Sequence, residues 1–473
     1  MKQVPTEQVL RRMTAENVWW AEPHAINDSY RSMRRRAYFD LLYPLVTQSD
    51  VRRAVLLMGP RRVGKTVLLH HVVQHLLDDG MPHNDICLLS VDHPIYNNCD
   101  LHDLVRHYSD VSGVDLEASR PVIIFDEIQY VREWEVQLKT LVDSYPTIRF
   151  VASGSAAAAL RLKSNESGAG RFTDFLLPPV TFYEYLDLLG QMNLIDMESP
   201  DRQSERITST NIAALNDAFV HYLNYGGYPE VIFSETIQSD PARFIKGDII
   251  DKVLLRDLPG LYGIQDIQEL NYLFTTLAFN TANEVSLEQL SQNSGVAKNT
   301  IKRYIEYLEA AFLIKVVHRI DRSGRRFQRA NFFKVYLTNP SMRSALFSPI
   351  ASDDEAMGDL AETGIFSQWF HADTALHYAR WDQGEVDIVH LGPKLKPSWA
   401  VEVKWTDRFV ERPADLRSLV SFCTANRLDA VSVTSRTAST VKIVGELQLN
   451  FTPTSLYCFT VGYNVIRLRA LQS

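Results

Sequence analysis

The sequence predicts an α/β protein with several domains. Apolar runs at 54–58, 86–92, 122–125 and 148–155 alternate with stretches of helical periodicity in the first third of the chain. This alternation is typical of a parallel sheet with helices packed on both faces, in three layers. A glycine-rich motif follows the first run and an acidic pair follows the third. With 473 residues, the chain is also too long for one ordinary core, so about three domains are expected.

The composition argues against several classes of protein. Hydrophobic residues make up 45% of the chain and charged residues 22%, as in soluble globular proteins, and the net charge of −8 argues against a protein that coats nucleic acid. Local basic patches remain compatible with that charge. The N-terminus lacks the apolar segment of a signal peptide, and no stretch approaches the roughly 20 apolar residues of a membrane span. Because the four cysteines show neither metal-ligand nor disulfide-framework spacing, we expect a reduced, cytoplasmic protein without membrane contact.

The glycine-rich motif reads Gly59-Pro-Arg-Arg-Val-Gly-Lys-Thr66 and stands between an apolar run and an amphipathic helix. Gly59 and Gly64 allow the backbone to bend so that successive N–H groups, with the helix N-terminus, bind phosphate. Lys65 would reach the β- and γ-phosphates of ATP, and Thr66 would ligate Mg²⁺. A chance turn is the alternative, which the strand–helix context disfavours. The predicted nucleotide-binding residues are Gly59, Pro60, Arg61, Arg62, Val63, Gly64, Lys65, Thr66 and Val67.

The acidic motif, Asp126-Glu127, follows the apolar run at 122–125. Asp126 is predicted to hold Mg²⁺ and Glu127 to polarise the attacking water. Taken alone, such a pair would equally fit a strand that enters a solvated turn, but its position after the phosphate-binding motif favours a catalytic site. Ser153, near the end of the run at 148–155, could sense the γ-phosphate.

Five segments in order, GPRRVGKT, IIFDEIQ, ASGS, GRFTDFLLPPVTFYEYL and GGYPEV, resemble prokaryotic AAA-type P-loop ATPases that carry a C-terminal domain of unknown function. The resemblance extends over nearly the whole chain. It implies an ATPase core at 1–207, followed by a helical lid at 208–280. It also implies the roles given above for the residues of the two motifs.

The resemblance assigns three further positions. Ser153 occupies the place of the polar sensor residue. Arg171 occupies the place of an arginine finger, which would act on a neighbouring subunit and make the protein a homo-oligomer; a surface arginine that pairs locally is the alternative. Glu230 stands after the segment Gly-Gly-Tyr-Pro, where no second-sensor arginine is identified.

Residues 281–342 predict a winged helix-turn-helix. Ser286 and Gln289 form a capping-box pattern, Gly295 marks a turn, and a second helix and a hairpin follow. The basic residues of this second helix and hairpin are Lys298, Lys302, Arg303, Arg319, Arg322, Arg325, Arg326, Arg329 and Lys334. They predict DNA contact. A protein-binding wing or a solvated hairpin is the alternative.

The stretch WAVEVKW, at 399–405, predicts a strand with Glu402 and Lys404 on one face. If this strand pairs with the preceding one around the turn at 392–397, Asp387 lies about opposite Glu402. Two facing carboxylates repel each other, and a cation such as Mg²⁺ between them would reverse that effect. Lys404 would orient or activate the attacking water near a scissile phosphate.

An earlier helix carries Glu362 beside its apolar stripe. With it, the series helix-Glu, strand-Asp and Glu-x-Lys resembles the restriction-endonuclease-like fold at 350–473. The resemblance implies Glu362, Asp387 and Glu402 as metal ligands and Lys404 as a catalytic residue, although Val386 stands where proline is usual. Two hypotheses follow: an ATP-dependent enzyme that cleaves DNA, and a nucleotide-controlled switch whose nuclease-like domain only binds DNA or a partner.

Overall fold

A computed structural model describes residues 5–21, 25–48, 50–97, 99–155, 170–201, 204–326, 331–372 and 374–470. The chain forms two compact units, one made mainly of residues up to Pro178 and the other running from Pro179 to Arg467. Within the described ranges no helix is long and apolar enough to cross a bilayer. The domain limits expected at 207, 280 and 342 all fall inside the second unit and remain predictions.

The first unit is built on a parallel five-stranded sheet. Its strands are β1 (Ala54–Met58), β2 (Ile86–Ser90), β3 (Val122–Asp126), β4 (Arg149–Gly154) and β5 (Phe172–Leu176). Their order is β2-β3-β4-β1-β5, so the predicted parallel α/β sheet is confirmed. Because parallel strands end at the same edge, β1, β3 and β4 bring the glycine-rich loop, Asp126 and Ser153 together.

Helices connect and cover these strands. The helices of the first unit are Thr6–Glu16, Asp28–Arg31, Phe39–Thr47, Lys65–Asp78, Leu101–Ser112 and Trp134–Ser144. Strands β1 and β3 are buried along their whole length, as is typical of a parallel sheet with both faces covered. Buried central strands therefore support the loops at the carboxyl edge of the sheet.

The second unit contains a two-stranded hairpin and a nine-stranded mixed sheet. The hairpin consists of β6 (Ile195–Asp201) and β7 (Ser204–Ser209). The large sheet consists of β8 (Glu284–Ser286), β9 (Ile314–Ile320), β10 (Phe332–Leu337), β11 (Leu376–Trp381), β12 (Gly384–Leu391), β13 (Pro397–Glu402), β14 (Ala430–Ser435), β15 (Thr440–Val444) and β16 (Leu447–Pro453). The order is β15-β16-β14-β13-β12-β11-β9-β10-β8.

Helices surround this sheet. They are Phe182–Leu188, Ile212–Tyr225, Pro229–Ile232, Glu235–Ser239, Leu258–Tyr262, Ile267–Phe279, Leu287–Ser294, Lys298–Ala310, Ser341–Leu346, Met357–Ser367, Arg408–Glu411, Arg417–Asn426 and Thr454–Ala470. Two π-helical segments, Ala242–Ile250 and Val253–Asp257, lie among them.

The strands of the predicted winged helix and of the predicted nuclease-like domain form one continuous sheet. Strand β9 pairs antiparallel with β10 on one side and parallel with β11 on the other. At residues 318–320, the outer edge of β9 therefore pairs with β11. The hairpin of the predicted wing is thus built into the larger sheet, and the two named folds remain proposals.

Strands β12 and β13 pair antiparallel, with Ile388 opposite Val401 and Val389 opposite Ala400. One step further in this register places Asp387 opposite Glu402, in agreement with the sequence. The predicted C-terminal end of the strand at 399–405 was wrong, because β13 ends at Glu402. Beyond that point the N–H of Lys404 donates to Thr434 Oγ1 at 2.7 Å and leaves the sheet ladder.

Candidate functional site

The glycine-rich loop connects β1 to the helix that begins at Lys65. Arg62 and Gly64 both have positive φ, 65° and 93°, and glycine tolerates this conformation best. A side chain at Gly59 would overlap the carbonyl oxygen of Leu177, which follows β5. The loop is therefore held against its neighbouring strand, with the N-terminus of a 14-residue helix behind it. Such an arrangement binds anionic phosphate.

Lys65 is only 5% exposed. Its Nζ donates to the carbonyl oxygens of Gly59 at 3.1 Å and Pro60 at 2.8 Å, both in the same loop. Burial lowers the pKa of the Lys65 ammonium, and the carboxylates of Glu127 and Asp126 act in the opposite direction. The lysine thus lies between the phosphate-binding loop and the acidic motif.

The end of β3 presents a carboxylate held by two hydroxyls. Thr66 Oγ1 donates to Asp126 Oδ2 at 2.7 Å, and Ser153 donates to the other carboxylate oxygen. Burial, and then the neighbouring Glu127, raise the pKa of Asp126, whereas the bonds from Ser153 and Thr66 oppose this rise. A hydroxyl and a carboxylate are hard oxygen ligands, so Thr66 and Asp126 are suitable ligands for Mg²⁺, and their metal role stays a prediction.

Glu127 is positioned by contacts that sequence reasoning missed. Its backbone has positive φ, 60°, and its N–H donates to Ser153 Oγ at 3.1 Å. Gln129 donates to the Glu127 carboxylate, while its own carbonyl oxygen accepts from the N–H of Ser155 at 3.3 Å. Ser153 therefore joins the two acidic residues, in addition to any role as a sensor. The glutamine in the segment IIFDEIQ was the available signal.

A buried arginine also supports the loop. Arg36 donates to the carbonyl oxygen of Val63 at 2.7 Å and to that of Pro178 at 3.2 Å. It is 5% exposed, so these charge-assisted bonds form away from water. Nothing in the surrounding stretch RSMRRRAYF distinguishes this arginine from its neighbours, so the sequence carried no signal for it.

Arg171 lies directly before β5 and pairs with Asp143, with a distance of 2.6 Å between Nε and Oδ1. Both side chains are about two-fifths exposed. Its carbonyl oxygen accepts from the N–H of Ala54, at the start of β1. Arg171 is therefore at the amino edge of the sheet, opposite the edge that carries the glycine-rich loop.

In the second unit, the four residues of the predicted nuclease-like site meet in one cavity of about 500 Å³. We call it the carboxylate–lysine cavity; its charged residues include Glu362, Asp387, Glu402, Lys404, Lys334 and Glu385. Lys404 Nζ lies 2.8 Å from Glu402 Oε1 and 3.4 Å from Asp387 Oδ2. The N–H of Val403 also donates to Asp387 Oδ2, at 2.8 Å.

Lys334 is a member of this cavity that sequence reasoning missed. It was predicted to be part of a basic DNA-binding hairpin, and that prediction was wrong, because its side chain is only 3% exposed. Its Nζ lies 2.7 Å from Glu385, 2.9 Å from Glu362 and 3.9 Å from Asp387. Tyr336 donates to the same Glu362 oxygen at 2.5 Å. Strand β10 thus supplies a second lysine to the cavity.

The carboxyl groups in the cavity have unequal proton affinities. Burial, and then the negative charge of Asp387, raise the pKa of Glu402 to about 8. Burial also raises the pKa of Glu362 to about 7, against the opposing effect of Lys334. For Asp387, Lys404 and Lys334 together outweigh burial, and its pKa is lowered. A divalent cation would compete with protons on the two glutamates.

The fit of a metal to this cavity is partial. Carboxylate oxygens are suitable ligands for Mg²⁺, and Glu402 Oε2 is buried without a hydrogen-bond partner among the described residues. However, the described part of the chain holds no group of three or more acidic, histidine or cysteine residues arranged around a metal position. Lys334 and Lys404 instead lie beside these carboxylates, and the metal site of Glu362, Asp387 and Glu402 stays a prediction.

Two helices, Leu287–Ser294 and Lys298–Ala310, lie where the helix-turn-helix was predicted, and the winged helix itself stays a prediction. Ser286 accepts from the N–H of Gln289 at 3.5 Å, and Gly295 ends the first helix with φ of 72°. At the start of the second helix Lys298 pairs with Glu288, which reduces its availability for phosphate. The arginines exposed at the hairpin turn are Arg322, Arg325 and Arg326. Arg329 lies outside the described residues.

Comparison with known proteins gives two family matches. Residues 51–186 match a family described as "AAA domain", and residues 216–353 match one described as "Domain of unknown function (DUF8612)". An uncharacterized protein of Methanocaldococcus jannaschii is 24% identical over 359 residues, which cover 72% of this chain and 73% of that protein. An uncharacterized protein of Haemophilus influenzae is 23% identical over 359 residues, which cover 74% and 82%.

Solved structures give weaker likenesses. The Aeropyrum pernix ORC1 protein in complex with DNA aligns with a TM-score of 0.33 at 12% identity, over 69% of this chain and 95% of that chain. The replication initiator DnaA bound to AMPPCP and single-stranded DNA aligns with a TM-score of 0.28 at 13% identity, over 58% and 87%. Scores of this size carry no conclusion about function. The family match and the loop geometry agree with each other: residues 51–186, which hold the glycine-rich loop and the acidic motif, are similar to the AAA domain family.

Proposed function

We propose that the first unit binds ATP with Mg²⁺ and hydrolyses it. The observation that carries this proposal is the hydrogen-bonded series at the carboxyl edge of the sheet, in which Thr66 and Ser153 hold the two oxygens of Asp126. This series lies beside a phosphate-binding loop in a segment that matches the AAA domain family. P-loop ATPases place a threonine and an acidic strand end in this way.

The residues have separate roles in the proposed reaction. Lys65 exchanges the carbonyl oxygens of Gly59 and Pro60 for phosphate oxygens, and the loop N–H groups bind the remaining charge. Glu127 accepts a proton from the attacking water. At the same time the water oxygen bonds to the γ-phosphorus, and the bond between the γ-phosphorus and the β–γ bridging oxygen breaks. Gln129 keeps the Glu127 carboxylate in place. Thr66 and Asp126 would hold Mg²⁺, which would supply positive charge to the phosphates.

Two substitutions test this proposal in the full chain. Lys65→Ala should abolish ATP binding, and Glu127→Gln should retain binding while losing hydrolysis. Arg132→Ala is the control, because Arg132 is 92% exposed and lies outside the site. Binding is measured with a fluorescent ATP analogue and hydrolysis by phosphate release. Equal ATP affinity in the wild type and Lys65→Ala contradicts the proposal.

We infer further that the second unit contacts DNA through the winged-helix elements and the C-terminal domain. The support is an exposed basic turn, at Arg322 and Arg325, in a chain of net charge −8. Asn426 donates to the carbonyl oxygen of Arg322 at 2.9 Å, and Gly324 packs closely against Pro397. The turn is thus anchored, so its arginines need little ordering before they meet phosphate.

The double variant Arg322→Ala/Arg325→Ala tests the contact with duplex DNA. Each lost phosphate contact should reduce the slope of log affinity against log salt by about one unit. Lys442→Ala, on the exposed edge strand β15, should leave the slope unchanged. Affinity is measured by fluorescence anisotropy at several salt concentrations. An unaltered slope in the double variant indicates a protein-binding wing.

Metal-dependent cleavage of DNA is a second candidate function. It is favoured by the convergence of Glu362, Asp387, Glu402 and Lys404 in one cavity, and by the unpartnered Glu402 oxygen described above. Asp387 and Glu402 would hold Mg²⁺ while Lys404 serves the water or the scissile phosphate. The alternative is a nucleotide-controlled switch whose cavity is inactive, with its carboxylates neutralised by the two lysines.

Plasmid cleavage with Mg²⁺ or Mn²⁺, with and without ATP, separates the two functions. Cleavage should be lost in both Asp387→Asn and Lys404→Ala. Mg²⁺ should raise the melting temperature of the wild type and of Lys404→Ala, and Asp387→Asn should remove this gain. If Mg²⁺ changes neither the melting temperature nor the cleavage by the wild type, the nuclease hypothesis is rejected in favour of the nucleotide-controlled switch.

A further inference from the structure

A second cavity in the second unit lies beside the start of β11. Its volume is about 560 Å³, within the range of sites that bind small ligands. Strand β9, the first residues of β11 and the segment after the helix Met357–Ser367 form its walls. We call it the His377 pocket. The residues that line it include Lys315, Arg319, Arg326, Trp369, Phe370 and His377.

The pocket has an unusual charge for this chain. Three permanent cations line it, and no carboxylate does so among the described residues, although the chain holds 57 acidic and 49 basic residues. Lys315 and Arg319 each have an acidic partner, at 3.2 and 3.7 Å. Arg326 has no ion-pair partner within the described part of the chain and is exposed. Arg326 is therefore available to bind an anionic group at the rim of the pocket.

His377 supplies an unpartnered polar group inside the pocket. The residue is only 5% exposed, and its Nδ1 finds no hydrogen-bond partner among the described residues. Burial, and then the positive charge of Arg326, lower the pKa of His377 to about 4. The imidazole is thus neutral at pH 7 and can bond to a polar edge of a ligand. A buried nitrogen without a partner costs stability, and a ligand would recover that cost.

Aromatic side chains form the apolar wall. Trp369 and Phe370 are half-buried. Trp369 stacks on Trp399 with 5.8 Å between ring centroids, and Phe370 meets Phe312 edge to face at 6.2 Å. These contacts fix the rings, so little conformational entropy is lost when a planar group packs against them.

We propose that the His377 pocket binds one nucleotide of a single-stranded nucleic acid. A backbone phosphate bonds to Arg326 and Lys315, the base packs against Trp369, and His377 bonds to the polar edge of the base. A basic rim with aromatic walls is how proteins bind single strands with little sequence preference. The inference rests on the DNA contact proposed above. It adds that the nucleic acid bound at this part of the sheet is single-stranded.

The test compares two labelled oligonucleotides on the full-length protein by fluorescence anisotropy. One is a ten-residue oligothymidylate and the other is an abasic strand of equal length and charge. The thymine strand should bind at least about 5-fold more tightly, since stacking contributes about 1–3 kcal/mol per base. Arg326→Ala should weaken both strands about 10-fold. His377→Phe should weaken the thymine strand alone.

Lys442→Ala is the charge control and should bind both strands as the wild type does. Equal affinity for the two strands, or an unchanged affinity in Arg326→Ala, overturns the proposal. So does displacement of the strand by micromolar thymidine monophosphate, which would indicate a site for free nucleotide. Should Arg322→Ala/Arg325→Ala lose duplex binding while Arg326→Ala keeps strand binding, the DNA contact stands and the pocket assignment fails.

Discussion

Gly59 illustrates how one residue sets the geometry of the phosphate-binding loop. We expect Gly59→Ala to lower the melting temperature and to weaken ATP binding at least about 10-fold, because its Cβ would overlap the Leu177 carbonyl oxygen and push the loop away from β5. Gly247→Ala is the matched control, since a Cβ there meets nothing within 4 Å. Thermal melting and nucleotide titration of both variants check the prediction. Equal losses in the two variants would exclude the close approach as the cause.

The raised pKa of Glu402, about 8, predicts a pH dependence of stability. A carboxyl whose pKa is higher in the folded than in the unfolded protein binds more protons when folded, so stability falls as pH rises from about 4.5 to 8. Glu362, raised to about 7, adds to the same slope. Glu402→Gln should flatten the decline of melting temperature between pH 5 and 8, in metal-free buffer. Glu446→Gln, at an exposed position, should not; an identical decline in wild type and Glu402→Gln contradicts the assignment.

At the scale of elements, the sequence was most informative where a function depends on neighbours in the chain. The P-loop needs glycines, a lysine and a threonine within eight residues, and all can be read directly. The bonds from Arg36 to Val63 and from Gln129 to Glu127 were not predictable, because each depends on how separate segments approach in the fold.

Strand β10 shows why a basic residue could be misassigned. Its sequence, FFKVYL, places Lys334 in an apolar run, and a hairpin rich in arginine suggested an exposed position. In the sheet, β10 lies between β9 and β8, so the lysine is enclosed and pairs with carboxylates from β12 and from the helix Met357–Ser367. Pairing across separate elements, rather than the local pattern, decided its environment.

Lys334 is therefore expected to link β10 energetically to the carboxylate–lysine cavity. Lys334→Met should cost about 3–5 kcal/mol, because it leaves the buried Glu362 without its cation. The double variant Lys334→Met/Glu362→Gln should recover part of the loss, which a double-mutant cycle measures. Lys442→Met controls for the loss of one lysine at an exposed site. Strict additivity of the two substitutions would show that the pair is not coupled.

At the scale of the whole molecule, Arg171 raises the question of assembly. It lies at the amino edge of the sheet, beside the start of β1, whereas the phosphate-binding loop follows the other end of that strand. Five residues of strand separate the two edges by about 16 Å, so Arg171 cannot reach the phosphates of its own subunit. A catalytic role for Arg171 thus requires a neighbouring copy of the chain, and a structural role requires only its partner Asp143.

The two roles predict different behaviour in mixtures of variants. If Arg171 acts on a neighbour, Arg171→Ala should lower ATP turnover on the order of 10³-fold while ATP affinity is retained. Adding Lys65→Ala subunits, which keep Arg171 but bind no nucleotide, should restore part of the turnover, and turnover per subunit should fall on dilution. Asp143→Asn is the control: if the arginine only pairs locally, this variant should reproduce the defect of Arg171→Ala. Turnover that stays constant across a wide dilution series, with no recovery in the mixture, would assign Arg171 to the local pair and leave the P-loop unit active as a monomer.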